Sequence, residues 1–212
     1  MDASDEAEDS ANIRLYSEQL QSHGTNVCAL GWSSERTQQK RFEVLASLLR
    51  LENASVLDVG CGFGDLFHWL KCRGFGGSYT GVDLTGDMVG AAREKYPAAR
   101  FVHGNILGDR LFDARQFEYV VASGIFTFRV GGGVDYVYKM AHRMFDLSSE
   151  GIGFNCLSAW GENTEADELT VVPEELLAVC RQKITPWLTL RHDYHPGDFT
   201  VSLYRNQFES ES

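Results

Sequence analysis

Short apolar runs alternate with segments of helical periodicity along most of the chain. From Ser33 or Ser34 to about Leu51, apolar residues recur at spacings of three and four, which predicts a helix that begins at a serine cap. A shorter helix is predicted from Ile13 to about Ser22. Further strands are predicted at 56–59, 79–83, 100–102, 117–122 and 152–157, and further helices at 66–70, at 85–96, at 134–147 and from Pro173 onward.

The last part of the chain breaks this alternation. Two strands are predicted at 188–194 and 199–204, separated by the turn signal Pro196-Gly197-Asp198, so they form a hairpin without a helix between its strands. Strands that alternate with helices form a parallel sheet covered by helices. We therefore predict an α/β fold with a doubly wound, seven-stranded, mostly parallel sheet and a C-terminal antiparallel hairpin strand.

The charge of the chain is concentrated at its ends. The formal net charge is −11, from 19 Lys and Arg against 30 Asp and Glu, and five of these acids lie within the first ten residues. We predict a disordered acidic tail over 1–10, an N-terminal helical cap segment over 11–54 and one domain over 55–208. The body that remains is mildly acidic and has no basic stripe, which disfavours a nucleic-acid partner.

Cysteine usage and hydropathy indicate the cellular setting. The five cysteines form no CxxC pair, so neither a structural zinc site nor a disulfide framework is predicted, and a reducing cytoplasm is the simplest location. No apolar run approaches the length of a transmembrane helix. The N-terminus also lacks the basic and apolar regions of a secretory signal. We expect a cytoplasmic protein with no membrane partner.

The most informative segment is the glycine loop at 60–64. A predicted strand runs into three alternate glycines, Gly60, Gly62 and Gly64, and then into a helix. Glycines at such a corner let the backbone approach a nucleotide. A dinucleotide fingerprint would place its third glycine at position 65, where this chain has Asp65, and Asp58 stands just before the loop. Two carboxylates disfavour a pyrophosphate but tolerate a ligand that carries an ammonium and a sulfonium.

A further carboxylate ends the second predicted strand. Asp83 lies 19 residues after Gly64, and a carboxylate in that position can accept both ribose hydroxyls of a nucleotide. A lone Asp there could instead cap a helix or lie on the surface. Together with the glycine loop, it indicates a nucleoside-containing ligand.

These motifs resemble those of class I S-adenosylmethionine-dependent methyltransferases. The resemblance covers roughly 33–205 and also includes the C-terminal hairpin. It is closer to small bacterial-type members with unassigned small-molecule substrates. It implies a Rossmann-like methyltransferase fold, 55–208 as the cofactor-binding domain, S-adenosyl-L-methionine as cofactor and S-adenosyl-L-homocysteine as product. The motifs that carry the general likeness are 58–64 (DVGCGFG), 81–84 (GVDL) and 119–124 (YVVASG), and those that carry the closer one are 29–32, 39–42, 123–126 and 192–194.

The resemblance implies roles for individual residues. The backbone of the glycine loop would lie against the methionine part of the cofactor, Asp58 would orient its ammonium, and Asp83 would bind the ribose. Asn105 stands where the family usually has an Asp that accepts from the adenine amine, and an amide oxygen can also accept. Ser123 would begin the loop beneath the transferred methyl group. The implied cofactor-binding residues are Asp58, Gly60, Cys61, Gly62, Asp83, Leu84, Asn105, Ile106 and Ser123.

The methyl acceptor is expected above the carboxyl ends of strands four and five, under the N-terminal segment. Arg129 could pair with an acceptor carboxylate or phosphonate, and His192 could act as a base. A surface arginine and a structural histidine would explain the same two residues. The candidates are Tyr16, Trp32, Gln38, Arg41, Phe126, Phe128, Arg129, Trp160, His192 and Tyr194. Of these, we predict Tyr16, Trp32, Arg41, Phe126 and Arg129 as substrate-binding, and His192, Arg129 and Tyr194 as catalytic.

We predict an enzyme that transfers a methyl group to an oxygen or nitrogen atom of a small metabolite, as a monomer or homodimer. No acidic cluster follows strand four, so no metal is expected. A motif of the Asn/Asp-Pro-Pro-Tyr type is also missing there, which argues against methylation of nucleic-acid bases, while a protein substrate stays open. Two alternatives remain: a non-catalytic partner subunit that only binds adenosylmethionine, and a nicotinamide-dependent oxidoreductase, which the misplaced third glycine disfavours.

Overall fold

A computed structural model describes residues 13, 34–128, 133–162 and 165–206. The predicted acidic tail lies outside the described residues, as does the predicted helix at 13–22 apart from Ile13. The helices of the described part are α1 (Glu35–Leu48), α2 (Asp65–Lys71), α3 (Gly86–Lys95), α4 (Gly133–Leu147) and α5 (Pro173–Lys183). The strands are β1 (Ser55–Val59), β2 (Ser78–Asp83), β3 (Arg100–His103), β4 (Phe117–Ala122), β5 (Ser148–Ser158), β6 (Thr170–Val171), β7 (Leu188–Arg191) and β8 (Asp198–Tyr204).

The strands form one sheet in the order β3-β2-β1-β4-β5-β8-β7, and the short β6 pairs with β5 beside this path. β8 runs antiparallel to both of its neighbours, and the other pairs are parallel. The predicted fold class is therefore confirmed, with β6 as an eighth strand. The strand order reverses between β1 and β4, and sheets of this kind bind their ligands at the carboxyl ends of the strands beside that point.

Local signals in the sequence set the starts of two helices. Ser34 caps α1, because its Oγ accepts from the backbone N–H of Thr37 at 3.3 Å. Pro173 is the first residue of α5, where its missing N–H is not needed.

The largest differences from the prediction lie in the sheet. β5 begins at Ser148, directly after α4, and β7 already ends at Arg191. The two-residue β6 was not predicted at all. Strand pairing explains the first difference: Phe117 of β4 pairs with Ser148, which brings polar residues without an apolar pattern into β5.

Apolar side chains cover both faces of the sheet. One cluster joins β4, β5 and β8 to α4 and α5, and the other joins β1, β2 and β4 to α1, α2 and α3. Both faces are thus buried, as the near-continuous apolar strands require. Within the described ranges, no helix combines the length and the apolarity that crossing a bilayer requires.

Helix α1 is held by two contacts with the sheet and one with α2. Arg41 forms a largely buried ion pair with Asp198 at the start of β8. The Tyr204 hydroxyl at the end of β8 donates to the carbonyl of Leu48 at 2.8 Å. Phe42 also meets the ring of Trp69 on α2 edge-on, with 6.1 Å between ring centroids. These contacts hold α1 in place along its length, with Gln38 and Phe42 at the carboxyl edge of the sheet.

Candidate functional site

An open cavity lies at the carboxyl edge of the sheet, where the strand order reverses. Its walls come from the loops after β1, β3 and β4, the end of β2, and turns of α1, α2, α3 and α4. The structure brings every predicted cofactor-binding residue to this wall. These residues are Asp58, Gly60, Cys61, Gly62, Asp83, Leu84, Asn105, Ile106 and Ser123.

The glycine loop has a backbone conformation that other residues adopt only with strain. Gly60, Gly62 and Gly64 have φ angles of 71°, 50° and 80°. The N–H groups of Gly60 and Cys61 donate to the carbonyl of Val82 at 2.8 and 3.1 Å, which ties the loop to β2. A Cβ on Gly60 would lie 2.1 Å from Cγ2 of Ile125. The glycine therefore also permits close approach of the loop after β4.

Asp83 lines the cavity and also fixes the conformation of the glycine loop. One of its carboxylate oxygens accepts from the N–H of Gly62 at 2.9 Å, and the other accepts from the N–H of Thr85 at 2.8 Å. Burial raises the pKa of Asp83, and these two backbone donors oppose the rise. Each carboxylate oxygen can accept a second hydrogen bond, so Asp83 can also bind the hydroxyls of a ribose.

Asp58 is buried beneath the loop at 3% exposure. The Tyr79 hydroxyl donates to its Oδ2 at 2.5 Å. Burial raises the pKa of Asp58 to about 7; the Tyr79 hydrogen bond opposes this rise, while the nearby carboxylates of Asp83 and Asp65 add to it. Its ionised form is suited to accept from an ammonium group, and cofactor binding can therefore displace a proton from this carboxyl group.

A second set of polar contacts lies where α1 meets the start of α2. Gln38 donates from Nε2 to Oδ2 of Asp65 at 3.3 Å. Lys95 donates to the other oxygen of Asp65 at 3.1 Å. Gln38 and Asp65 line the cavity. Asp65 stands where a dinucleotide-binding loop would have its third glycine. Its carboxylate therefore holds the Gln38 side chain of α1 at the cavity wall.

The loop after β4 is held by a residue that the sequence analysis did not select. Asn155 of β5, buried at 4% exposure, accepts from the N–H of Gly124 at 3.0 Å and donates to Oγ of Ser123 at 3.1 Å. A signal was available, because Asn155 is the polar residue inside the apolar run 152–157. Its role becomes visible only once β4 and β5 are neighbours.

Asn105 is engaged in a local turn after β3. Its side-chain oxygen accepts from the N–H of Leu107 at 2.7 Å, and its backbone N–H donates to Asp109 at 2.9 Å. An amide oxygen can accept two hydrogen bonds. The turn is therefore compatible with the predicted contact to an adenine amine.

Two of the predicted substrate-binding residues have other partners in the structure. Phe126 is buried at 1% exposure and packs edge-on against Phe154 and Tyr136. Its ring belongs to the core, so any effect on an acceptor would be indirect. Arg41 pairs with Asp198, as described above, so its charge is compensated within the protein.

The predicted catalytic residues His192 and Tyr194 lie outside the cavity wall. Nε2 of His192 is 2.8 Å from the hydroxyl of Ser158, and its ring stacks parallel to Phe199. The hydroxyl of Tyr194 is 2.9 Å from that of Thr200, and burial raises the pKa of Tyr194. The structure supplies structural partners for both side chains, and their catalytic roles stay predictions.

Three further predicted residues lie outside the described residues: Tyr16, Trp32 and Arg129. Two other acceptor candidates are described. Phe128 lines the cavity, whereas Trp160 is 56% exposed, with its ring centroid 5.0 Å from that of His192.

The chemistry of the cavity wall fits adenosylmethionine. The carboxylates of Asp58, Asp65 and Asp83 line it, and no Lys, Arg or His is found among its described lining residues. A wall of this kind attracts a ligand with an ammonium and a sulfonium and repels a pyrophosphate. The glycine loop adds backbone surface that a ligand can approach closely. The wall therefore argues against a nicotinamide dinucleotide.

Comparison with known proteins supports the same class. Residues 56–146 match the family described as "Methyltransferase domain". The chain is 32% identical over 166 residues to Rv1506c of Mycobacterium tuberculosis, whose name gives methyltransferase and no substrate, and the match covers 72% of this chain and 96% of that protein. It is 36% identical over 77 residues to trans-aconitate 2-methyltransferase of Afipia carboxidovorans, over 36% of this chain and only 30% of that protein.

Solved structures share the fold at low sequence identity. Magnesium protoporphyrin IX methyltransferase of Synechocystis, crystallised with bound adenosylmethionine, superimposes with a TM-score of 0.60 at 13% identity over 80% of each chain. An adenosylmethionine-dependent methyltransferase of Aquifex aeolicus does so with a TM-score of 0.61 at 15% identity, over 84% of this chain and 98% of that one.

The chain belongs to the class I S-adenosylmethionine-dependent methyltransferases. It is an enzyme that uses adenosylmethionine as cofactor and forms adenosylhomocysteine as product. The alternatives of a non-catalytic subunit and a nicotinamide oxidoreductase are therefore set aside.

Proposed function

We propose that the protein transfers the methyl group to an oxygen or nitrogen atom of a small metabolite. The observation that carries this proposal is the extent of the cavity. It continues from the predicted cofactor contacts past Ser123 to Phe128 of the β4 loop and to Tyr136 and Met140 of α4. No predicted cofactor contact uses these three side chains. A recess continuous with the cofactor site suits an acceptor small enough to enter it.

The charge of the protein and one group of relatives support a metabolite over a nucleic acid. A formal net charge of −11 opposes binding to a phosphate backbone. Several relatives are named trans-aconitate 2-methyltransferase, which is a small-molecule activity, but this chain spans only about a third of their length. That similarity supports the class of acceptor and does not extend to its identity.

The residues of this chain would act mainly by positioning. When bound, adenosylmethionine supplies a methyl group on a positively charged sulfur that is already activated for transfer. Asp83 would hold the ribose, the backbone of the glycine loop would lie against the methionine part, and Asp58 would orient the ammonium. Asn155 braces Ser123 and the loop on which the acceptor would rest. Orientation of this kind can lower a barrier by about 7–11 kcal/mol.

A general base is required only where the acceptor loses a proton, and it typically adds about 10²–10⁴-fold. His192 and Tyr194 remain the predicted candidates for that role, and Arg129 remains the predicted partner of an anionic acceptor. The proposal also includes metal independence, a cytoplasmic location and a monomeric or homodimeric state. It likewise keeps the division of the chain into a tail (1–10), a helical cap segment (11–54) and a cofactor-binding domain (55–208).

Release of adenosylhomocysteine tests the proposed function. The purified protein is incubated with adenosylmethionine and either the small-molecule fraction or the macromolecular fraction of a cell extract. Mass spectrometry then measures the product. Release above the level of an Asp83→Ala variant should occur with the small-molecule fraction. Release with the protein or nucleic-acid fraction alone would show that the acceptor is a macromolecule.

A further inference from the structure

One polar side chain at the cavity wall has no part in the function proposed above. Gln38 is buried at 5% exposure and lines the cavity. It lies on the inward stripe of α1 together with Phe42 and Leu45, where an unpaired amide would be costly. We propose that Gln38 binds the ammonium group of adenosylmethionine and adenosylhomocysteine through its side-chain oxygen.

The orientation of the Gln38 amide follows from its partner. Nε2 donates to Oδ2 of Asp65 at 3.3 Å, and Lys95 donates to Oδ1 of the same carboxylate at 3.1 Å. An ionised carboxylate can only accept hydrogen bonds, so the NH₂ side of the amide must face Asp65. The side-chain oxygen then faces away from Asp65. Within the described ranges, no group of the protein donates to the Gln38 side-chain oxygen.

The helix that carries Gln38 is held firmly. The cap at Ser34 lies one turn before it, the ion pair of Arg41 with Asp198 lies one turn after it, and Phe42 packs against Trp69. A side chain on such a helix can bind with little loss of conformational entropy. Gln38 is therefore suited to recognition as well as to packing.

The position of Gln38 in the cavity indicates which part of the ligand it would contact. Asp83 and Asn105, the predicted ribose and adenine contacts, lie at the ends of β2 and β3 on one side of the glycine loop. Gln38 and Asp65 come from α1 and α2 on the face of the sheet that also buries Asp58 against Tyr79. The amino-acid chain of the cofactor would thus extend across the loop toward Gln38.

The charges at this end favour the ammonium over the carboxylate of the ligand. Asp58 and Asp65 would repel a ligand carboxylate and attract a cation. An ammonium has three donors, and Asp58 already accepts one hydrogen bond from Tyr79. The neutral oxygen of Gln38 offers a further acceptor whose strength does not depend on protonation. This inference rests on the placement of the cofactor in the proposed function.

Calorimetry with two ligands tests the proposal. Adenosylhomocysteine carries the ammonium, whereas 5′-methylthioadenosine keeps the adenosine and the thioether and lacks the amino-acid chain. The variant Gln38→Met should weaken adenosylhomocysteine binding about tenfold, as expected for a lost hydrogen bond to a charged group, and leave methylthioadenosine binding unchanged. Gln39→Met, on the exposed side of the same helix, is the matched control and should change neither affinity.

Either of two results would overturn the proposal. An equal loss for both ligands would mean that Gln38 acts only through the general packing of the site and not on the ammonium. An unchanged affinity for adenosylhomocysteine would remove the contact altogether. If Gln38→Met does not fold, Gln38→Asn decides in the same way, because the shorter amide withdraws the oxygen from the ligand and leaves the carboxylate of Asp65 in place. The two calorimetric affinities are measured without a methyl acceptor, so they are independent of the test for a small-metabolite substrate.

Discussion

The pair of Asp58 and Tyr79 makes the stability of this protein depend on pH. Asp58 is buried at 3% exposure, so its neutral form is favoured in the folded state although the Tyr79 hydroxyl donates to it at 2.5 Å. The substitution Asp58→Asn keeps an oxygen that can accept from Tyr79 and removes the titration. Comparison of this variant with the wild type therefore isolates the contribution of one carboxyl group.

The magnitude follows from the shift of the pKa from 3.8 to about 7. Because the folded state binds the proton more tightly, the stabilisation is fully present below the unfolded pKa and is lost as the pH rises through the folded value. At about 1.4 kcal/mol per pH unit, raising the pH from about 5 to about 8 should lower the free energy of unfolding of the wild type by about 2–3 kcal/mol relative to Asp58→Asn.

Urea unfolding at the two pH values, followed by circular dichroism, measures this difference. Asp87→Asn on the exposed side of α3 changes the net charge by the same amount and serves as the control. Tyr79→Phe removes the hydrogen bond that lowers the pKa, so it should enlarge the pH dependence. A difference between wild type and Asp58→Asn that is the same at both pH values would refute the argument from burial.

Three further substitutions test the site. Asp83→Ala should weaken adenosylhomocysteine binding at least about tenfold in calorimetry; unchanged affinity in a folded variant would remove Asp83 from the site. Gly60→Ala should abolish that binding, because the new Cβ would meet Ile125 at 2.1 Å at a φ of 71°, and full binding would contradict the close approach of the two loops. Asn155→Leu should cost about 1–3 kcal/mol in urea unfolding by leaving the N–H of Gly124 unpaired; an unchanged midpoint would show that the brace adds no stability.

Much of the fold followed from patterns that act over short distances along the chain. The proline at the start of α5 and the strand at 117–122 were predicted at the positions where the structure has them, and the cap at Ser34 was one of two serines predicted for that position. The start of β5 at Ser148 was not predicted, because polar residues carry no strand signal and are recruited by pairing with β4. Similarly, β6 is too short to have a periodicity of its own.

The cofactor side of the candidate site was more predictable than the acceptor side. The ends of two parallel strands carry Gly60, Gly62 and Asp83. In a parallel sheet the carboxyl ends of the strands lie at the same edge, independently of the rest of the sequence. The acceptor candidates are mostly large side chains near that edge, and the edge does not determine the direction in which each side chain points. Phe126 points into the core, and Arg41 reaches Asp198.

The sequence by itself determined the order of strands and helices apart from β6, the glycine corner and the row of carboxylates that suits a cationic cofactor. Each depends on the residues next to it, through backbone freedom, side-chain periodicity or a strand end. Only the tertiary structure decided the partners of Gln38 and Asn155. Their bonds to Asp65 and Ser123 join residues 27 and 32 positions apart. Periodicity shows which face a side chain occupies, whereas the packing of helices and the pairing of strands decide which side chain it meets there.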